Sequence, residues 1–270
     1  MNYSTPVPPL EGPKVAILGQ LGIARGQNFW AQWIEGPVTF EASSTAEMLL
    51  LLPEAGADVS TDDESIHLPA RSVSILPAGS MRLTLAAGVR ATLIAHSRPD
   101  LTPAQAINAA DYAKSDNRVK SVVREWQRVQ NPHRIHVIEV DKIAAPLDKP
   151  RLKMFRTDCM SINWVEYTGA RDRSALSPHS HADFEQGSLA IAGDFVHHLR
   201  TPWGGDANTW REDAHLDAPS PSMFTIPVHL VHTTEGTGQG RHLLIDIFSP
   251  AREDFIAKGW ISNADDYVKC

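Results

Sequence analysis

Short apolar runs, each about as long as a β-strand, follow one another along most of this chain and end at glycine, proline or acidic residues. Runs of this kind are typical of antiparallel sandwiches and barrels, because parallel sheets need a crossover connection between successive strands. The sequence therefore predicts an all-β-dominated protein. The predicted strands are 15–18, 47–52, 72–76, 81–85, 91–95, 136–140, 152–156, 162–167, 188–192, 195–199, 223–226 and 242–248.

Helix signals interrupt this succession between residues 99 and 132. The segment Thr102-Pro103-Ala104-Gln105 has threonine as an N-cap, proline at the first helical position and glutamine three residues after the cap. It predicts a helix that runs to about Lys114. Apolar side chains that recur on one helical face predict a second helix over about 119–129. A further short helix is predicted over about 251–258.

The two groups of strands predict two β-domains. Residues 1–100 form the first, 101–132 form a helical linker, and 133–270 form the second. A chain of 270 residues is long enough for one large domain or two small ones.

Charge and cysteine content argue against several classes of protein. The formal net charge is −7 without a basic stripe, so nucleic-acid binding is not expected. Cys159 and Cys270 do not make a disulfide framework, which favours a reducing, cytoplasmic setting. Residues 1–14 contain prolines and no apolar core, so a signal peptide is not expected. The apolar run 48–52 is too short to span a membrane.

Residue types that bind metals are concentrated in the segment 177–187. His179 and His181 are two residues apart, so on a strand both side chains point to the same face. Glu185 can reach the same point if the strand continues or bulges. Imidazole and carboxylate ligands suit Fe, Mn, Ni, Zn or Cu. The competing interpretation is a pair of surface histidines beside an acidic turn.

A second segment further along the chain carries Pro227 and His232, and the two segments together resemble the motifs of the cupin superfamily. The first cupin motif has HxH, three or four residues, Glu, and a glycine after a strand. The second motif reads PxGxxHxxxN, and its histidine is the last ligand. Three departures stand out: His229 replaces the second-motif glycine, Gly236 replaces its asparagine, and the interval from Glu185 to Gly193 is one residue longer than usual.

The resemblance implies one divalent metal per chain, either Fe, Mn, Ni or Zn. It implies two jelly-roll barrels, and it implies a homo-oligomer, expected to be a dimer. The ligands that it implies are His179, His181, Glu185 and His232.

The first half looks like a cupin domain that has lost its metal. The run from Pro77 to Arg82 fits PxGxxH with arginine in place of histidine, and Glu41, Ser43 and Glu47 stand at the ligand spacing. The resemblance therefore implies a bicupin with a degenerate N-terminal barrel. Arg82 is expected to fill the vacant metal position and to pair with Glu41 or Glu47.

Four protein ligands leave open positions on a six-coordinate metal, where a small substrate can bind. The resemblance implies dioxygenase chemistry or isomerase and lyase chemistry on a small oxygenated molecule. It also implies an alternative, a non-catalytic cupin that binds a metal or a small ligand.

The candidate catalytic residues are His198, Arg200 and His229. His198 and Arg200 share one face of a predicted strand, and His197 takes the other face, so either histidine could point into the barrel. His229 is close enough to His232 to act as a proton shuttle, with a plain turn residue as the alternative. Weaker candidates are Asn163, Glu166, Arg171, His242 and Asp246, and the loop from Trp203 to Arg211 as a lid.

Overall fold

The computed structural model describes residues 15–147 and 149–270, so the prediction about a signal peptide lies outside the described residues. The strands before residue 100 are β1 (Val15–Ile17), β2 (Ile23–Arg25), β3 (Trp30–Glu35), β4 (Val38–Ser44), β5 (Met48–Leu52), β6 (Ala57–Thr61), β7 (Ser65–Leu68), β8 (Ser72–Leu76), β9 (Gly79–Leu85) and β10 (Arg90–Ala95). The later strands are β11 (Trp126–Arg128), β12 (His136–Glu139), β13 (Lys153–Arg156), β14 (Ser161–Thr168), β15 (Gln186–Ala192), β16 (Asp194–Arg200), β17 (Ala214–Pro219), β18 (Ser222–Ile226), β19 (Val231–Thr237), β20 (Arg241–Phe248) and β21 (Tyr267–Lys269).

Helical structure is sparse in the described residues. The α-helix is α1 (Glu253–Ala257), which confirms the short helix predicted near the end of the chain. Single 3-10 turns lie at Pro103–Gln105, Ala109–Tyr112, Val140–Lys142, Arg173–Ala175, Ala207–Thr209 and Ala264–Asp266. None of these helices has both the length and the apolar character needed to cross a lipid bilayer.

Antiparallel strands form four main sheets, and β11 pairs with β21 in a small fifth one. The first outer sheet has the order β4-β9-β6-β7, and the first inner sheet has the order β12-β8-β5-β10-β3-β2. The second inner sheet has the order β1-β18-β15-β20-β14-β13, and the second outer sheet has the order β17-β16-β19. The all-β fold class is confirmed.

The sheets stack because the strands of the inner sheets are apolar on both faces. In β5, Leu50 packs towards the first outer sheet, and its neighbour Leu49 packs towards the second inner sheet. In β20, Ile245 faces the first inner sheet, and Leu244 faces the second outer sheet. Side chains that alternate along a strand can therefore fill two cores at once.

Two strands each belong to an inner sheet whose other strands come from the other half of the chain. β1, at the start of the described chain, pairs with β18 of the second inner sheet. β12, which follows residue 132, pairs with β8 of the first inner sheet. The predicted division into residues 1–100 and 133–270 stays a prediction, and these two pairings cross it.

The predicted helical linker over 101–132 is wrong. Thr102 and Gln105 do form a capping box, but the turn ends at once because the N–H of Ile107 donates to the carbonyl of Ile23 at 2.9 Å. The second predicted helix is a segment without helical structure, and Trp126–Arg128 forms β11. Backbone pairing with distant strands satisfies the same N–H groups that a helix would use, so tertiary contacts override the local helix preference.

The interior of the first half contains a large apolar core. Leucine, methionine and isoleucine side chains of the first outer and first inner sheets fill it. Arg82 does not enter this core; it pairs with Glu41 at 2.6 Å, and both side chains are more than half exposed. The expectation that Arg82 replaces a metal is therefore wrong, because the alternation of β9 turns this side chain to the outer face.

Candidate metal centre

Three of the four predicted ligands lie together between the second inner and second outer sheets. One ring nitrogen from each of His179, His181 and His232 lies within 4.8 Å of the others. The backbone explains their meeting, since His179 and His232 form an antiparallel bridge with N–H to O distances of 3.0 and 2.8 Å. His181 is two residues further along the chain, so its side chain points to the same side of the backbone as that of His179.

Hydrogen bonds orient two of the rings. Nδ1 of His179 donates to the carbonyl of Ser177 at 2.9 Å, and Nδ1 of His232 donates to the carbonyl of Leu230 at 3.0 Å. Both Nε2 atoms therefore carry a free lone pair. Nε2 of His232 is fully buried and has no partner among the described residues. Backbone acceptors on the far nitrogen are typical of metal-binding histidines.

Burial keeps two of these rings neutral. Burial lowers the pKa of His181 to about 3 and the pKa of His232 to about 4. Neutral imidazole is the form that binds a metal, so these histidines need not lose a proton at neutral pH. The donor set and the unpartnered nitrogen fit a divalent transition metal.

Glu185 is not brought together with the histidines. Its carboxylate accepts hydrogen bonds from the backbone N–H of Gln27 at 2.6 Å and from the hydroxyl of Tyr112 at 2.8 Å. These partners lie in the first half and in the predicted linker. Burial raises the pKa of Glu185 to about 7. Glu185 comes just before β15 and points to the face opposite the histidines.

Gln186, the next residue, points to the histidines instead. Its Oε1 lies 2.8 Å from Nε2 of His181, and it begins β15. If Gln186 takes the place of the motif's glutamate, the interval to Gly193 has the usual length for a first cupin motif. Four residues then separate His181 from Gln186, which the motif also allows. The extra residue between Glu185 and Gly193 was therefore the signal in the sequence that could have identified Gln186.

A buried carboxylate holds the amide of Gln186 in this orientation. Nε2 of Gln186 donates to Oδ1 of Asp246 at 2.9 Å, so the amide oxygen faces His181. The hydroxyl of Ser188 donates to the same Oδ1 at 3.1 Å, and Asn163 approaches the other oxygen at 3.5 Å. Burial raises the pKa of Asp246 to about 6. Asp246 and Asn163 were weak candidates in the sequence, and the structure places both beside the histidines.

The three histidines open into a cavity of about 620 Å³, named here the histidine cavity. Aromatic and aliphatic side chains line part of it, including Phe248 and Phe255. Its charged lining is unbalanced: among the described lining residues Asp246 is the acidic one. The basic side chains of the lining are Lys149, Arg151, Arg171 and Arg252.

The predicted catalytic residues do not line this cavity. His198 faces the outer side of the second outer sheet, where it contacts Glu235 at 2.8 Å and His215 at 2.7 Å. Arg200 is exposed and pairs with Asp213 at 2.6 Å. His229 is exposed at a turn with a φ of 65°. The side-chain alternation of β16 puts His197 inside and His198 outside.

Two further buried histidines serve packing. Nδ1 of His197 contacts the hydroxyl of Thr234 at 3.0 Å, and its ring packs on Phe224. His242 stacks on Tyr167 with 5.1 Å between ring centroids. A Cβ added at Gly236 would lie 2.2 Å from the hydroxyl of Tyr167, which explains why glycine stands where the second cupin motif has asparagine.

Comparison with solved structures supports a cupin fold. AerE from Microcystis aeruginosa has a TM-score of 0.55 at 10% identity, with 89% of this chain and 94% of that chain covered. Oxalate decarboxylase from Bacillus subtilis has a TM-score of 0.53 at 10% identity, with 94% of this chain and 88% of that chain covered. A 7S globulin from Momordica charantia has a TM-score of 0.51 at 12% identity, with 90% of this chain and 85% of that chain covered.

At these identities the likeness concerns the fold alone. One structure of the Bacillus subtilis oxalate decarboxylase is described in terms of its Mn(II) centres. Neither a protein-family model nor a curated protein sequence matches this chain. The chain therefore shares its fold with these structures, and its three convergent histidines form a candidate metal centre.

Proposed function

We propose that this chain is a divalent-metal-dependent enzyme that acts on a small, anionic, oxygenated molecule. The observation that carries the proposal is the convergence of three histidines in a cavity rich in basic side chains. His179, His181 and His232 are the proposed ligands, with Oε1 of Gln186 as the fourth.

The charge of this ligand set favours an anionic substrate. Imidazole and amide groups are neutral, so they leave both positive charges of a divalent ion uncompensated. Asp246 supplies one negative charge behind Gln186 and does not reach the histidines itself in this arrangement. A carboxylate or enolate oxygen that binds at an open metal position would complete the neutralisation.

When bound, the metal would polarise an oxygen atom of the substrate as a Lewis acid or bind O₂. Side chains that line the cavity exclude water, orient the ligands and bind the substrate. Phe248, Phe255 and Leu152 exclude water from part of the cavity, and Asp246 fixes the amide of Gln186. The basic side chains hold the anionic part of the substrate.

Metal analysis and variants of the ligands test the metal site. The purified protein is expected to hold about one equivalent of a divalent metal, because one group of three described histidines meets the geometry. His181→Ala and His232→Ala should each lose the metal. His215→Ala is the matched control, since this exposed histidine lies outside the histidine cavity and should leave the metal content unchanged.

A turnover screen with small carboxylates, sugar acids and diketones then separates the remaining possibilities. Activity that persists without oxygen identifies isomerase or lyase chemistry, whereas activity that consumes oxygen identifies a dioxygenase. Binding without turnover identifies the non-catalytic alternative. Full metal retention in both histidine variants would overturn the proposed site.

A further inference from the structure

Two arginines in the wall of the histidine cavity lack a carboxylate partner in the part of the chain that the structure describes. No carboxylate oxygen of residues 15–147 or 149–270 lies within 4.0 Å of the guanidinium of Arg151 or Arg171. Most described arginines do have such a partner, including Arg252 in the same cavity, which pairs with Asp254 at 2.7 Å. An uncompensated pair of like charges in one cavity favours the binding of an anion.

Arg151 and Arg171 line the same cavity, and the ring of Tyr167 lies beside Arg151. The guanidinium carbon of Arg151 lies 5.7 Å from the ring centroid of Tyr167, and both arginines line the cavity. Burial first, and then the positive charge of Arg171, lower the pKa of Arg151. Like charges repel, so the placement of both groups on the wall of one cavity has an energetic cost.

The surroundings of the pair are fixed by the fold. The backbone N–H of Arg171 donates to the carbonyl of Gly236 at 3.0 Å, which ties this residue to β19. Tyr167 lies at the end of β14, with its hydroxyl against the backbone of Gly236 and its ring on His242. Arg151 is exposed and Arg171 half-buried, so the pair stands at the mouth of the cavity.

We propose that Arg151 and Arg171, named here the mouth pair, form a second oxyanion subsite, so that the substrate carries two anionic groups. One group binds at the histidines and the other binds between the two guanidinium forks. The inference deepens the proposed function and rests on it for the first anionic group. Carboxylate and phosphate share the planar or forked oxygen arrangement that arginine recognises through paired N–H donors.

The structure limits the size of such a molecule. A cavity of about 620 Å³ has room for a small metabolite of this kind. Two anionic groups at opposite ends would engage the histidines and the mouth pair together. A molecule with a single anionic group would engage one of them and lose the contribution of the other.

Calorimetric titration of the Mn(II)-loaded protein tests the subsite with a graded series of probes. Acetate is the monoanion, malonate and succinate are the dicarboxylates, and phosphoglycolate carries one carboxylate and one phosphate. We expect at least one of the three probes with two anionic groups to bind about tenfold or more tightly than acetate, because charge-assisted contacts to arginine are added. The best probe distinguishes a second carboxylate from a phosphate.

Arg171→Gln and Arg151→Gln should each remove most of this preference, with a smaller effect on acetate binding, and should leave the metal content unchanged. Arg211→Gln is the matched control, because Arg211 is also exposed, has no carboxylate within 4.0 Å among the described residues and lies outside the cavity. Thermal melting of each variant checks that the protein is folded. Equal binding of acetate and all three probes with two anionic groups, or a preference that survives both substitutions, overturns the subsite.

Inorganic phosphate and the metal-free protein separate this inference from the proposed function. If the protein takes up no metal but phosphate binding still depends on Arg151 and Arg171, the subsite stands and the proposed function fails. If the metal binds through the histidines but neither arginine affects any anion, the proposed function stands and the subsite fails.

Discussion

At the scale of single residues, the candidate site depends on which of two neighbours faces the histidines. Glu185 is the better metal ligand by chemistry, and Gln186 is the residue that the fold turns towards His181. Successive residues of a strand point to opposite faces, so a shift of one position along the strand replaces the anionic side chain of Glu185 by the neutral side chain of Gln186. The electrostatic character of the whole cavity follows from that exchange.

Substitution of Gln186 should therefore affect metal binding more than substitution of Glu185. We expect Gln186→Ala to weaken metal affinity by about tenfold or more, in the range found when groups that support a metal site are removed. Gln186→Glu should strengthen it, because an anionic ligand replaces a neutral one. Competition with a chelator of known affinity measures both changes.

Glu185→Gln is the control for this pair, since its carboxylate bonds to Gln27 and Tyr112 instead of facing the histidines. It should keep the metal affinity within a few fold of the unsubstituted protein, in line with a group outside the ligand set. Loss of metal from Glu185→Gln together with retention in Gln186→Ala would show that Glu185 is the ligand, as the sequence motif predicts.

A second residue-scale prediction concerns Glu47, which the sequence placed at a degenerate ligand position. The buried Glu47 carboxylate pairs with Arg128 at 2.7 Å and accepts from the hydroxyl of Tyr267 at 2.7 Å. Removal of one member of a buried pair leaves an uncompensated charge, so Glu47→Ala should lower the free energy of unfolding by about 3–5 kcal/mol. Urea denaturation measures this loss.

Glu41→Ala is the matched control for Glu47→Ala. Glu41 also pairs with an arginine, Arg82, but both side chains are largely exposed, and exposed pairs contribute less than about 1 kcal/mol. A similar loss of stability in the two variants would contradict the structural role assigned to the buried pair.

At the scale of elements, β16 carries a buried histidine that makes stability depend on pH. Burial lowers the pKa of His197 to about 3, whereas an unfolded histidine has a pKa of about 6.5. Between these values the unfolded chain binds a proton that the folded chain does not. The free energy of unfolding should therefore fall as the pH is lowered from about 6.5 towards 3.

His197→Asn should flatten this pH dependence by up to about 1.4 kcal/mol per pH unit, because one titrating group is removed. Asparagine can still donate to Thr234, which contacts His197 in the unsubstituted protein. Denaturation of metal-free protein at pH 7, 6 and 5 provides the slopes, with the exposed His67→Asn as control. An unchanged slope in His197→Asn would refute the assignment.

At the scale of the whole molecule, the halves of the chain complete each other's sheets. β1 belongs to the second inner sheet and β12 to the first, and Trp33 and Trp164 are buried in the shared core between these sheets. Each half alone would lack one edge strand of its inner sheet and would expose the inner face of that sheet. An exposed inner face of this kind is a large apolar patch with open strand edges.

Separate expression of residues 1–132 and 133–270 should therefore give two fragments that aggregate or remain unfolded, whereas co-expression should recover a soluble complex. Circular dichroism and size-exclusion chromatography of each sample provide the measurement. A fragment 133–270 that folds alone and binds one metal would show that the second half is an independent domain, as the sequence division predicts.

The sequence alone determined the all-β class and the three histidines, because both depend on local patterns. The spacing of His179 and His181 predicts that both side chains point the same way, and Pro227 marks the turn before His232. Only the tertiary structure decided that Gln186 rather than Glu185 faces the centre, that His198 points outwards, and that 119–129 is not helical. These outcomes depend on which face of a strand another sheet covers and on which distant backbone groups pair, and a local sequence pattern specifies neither.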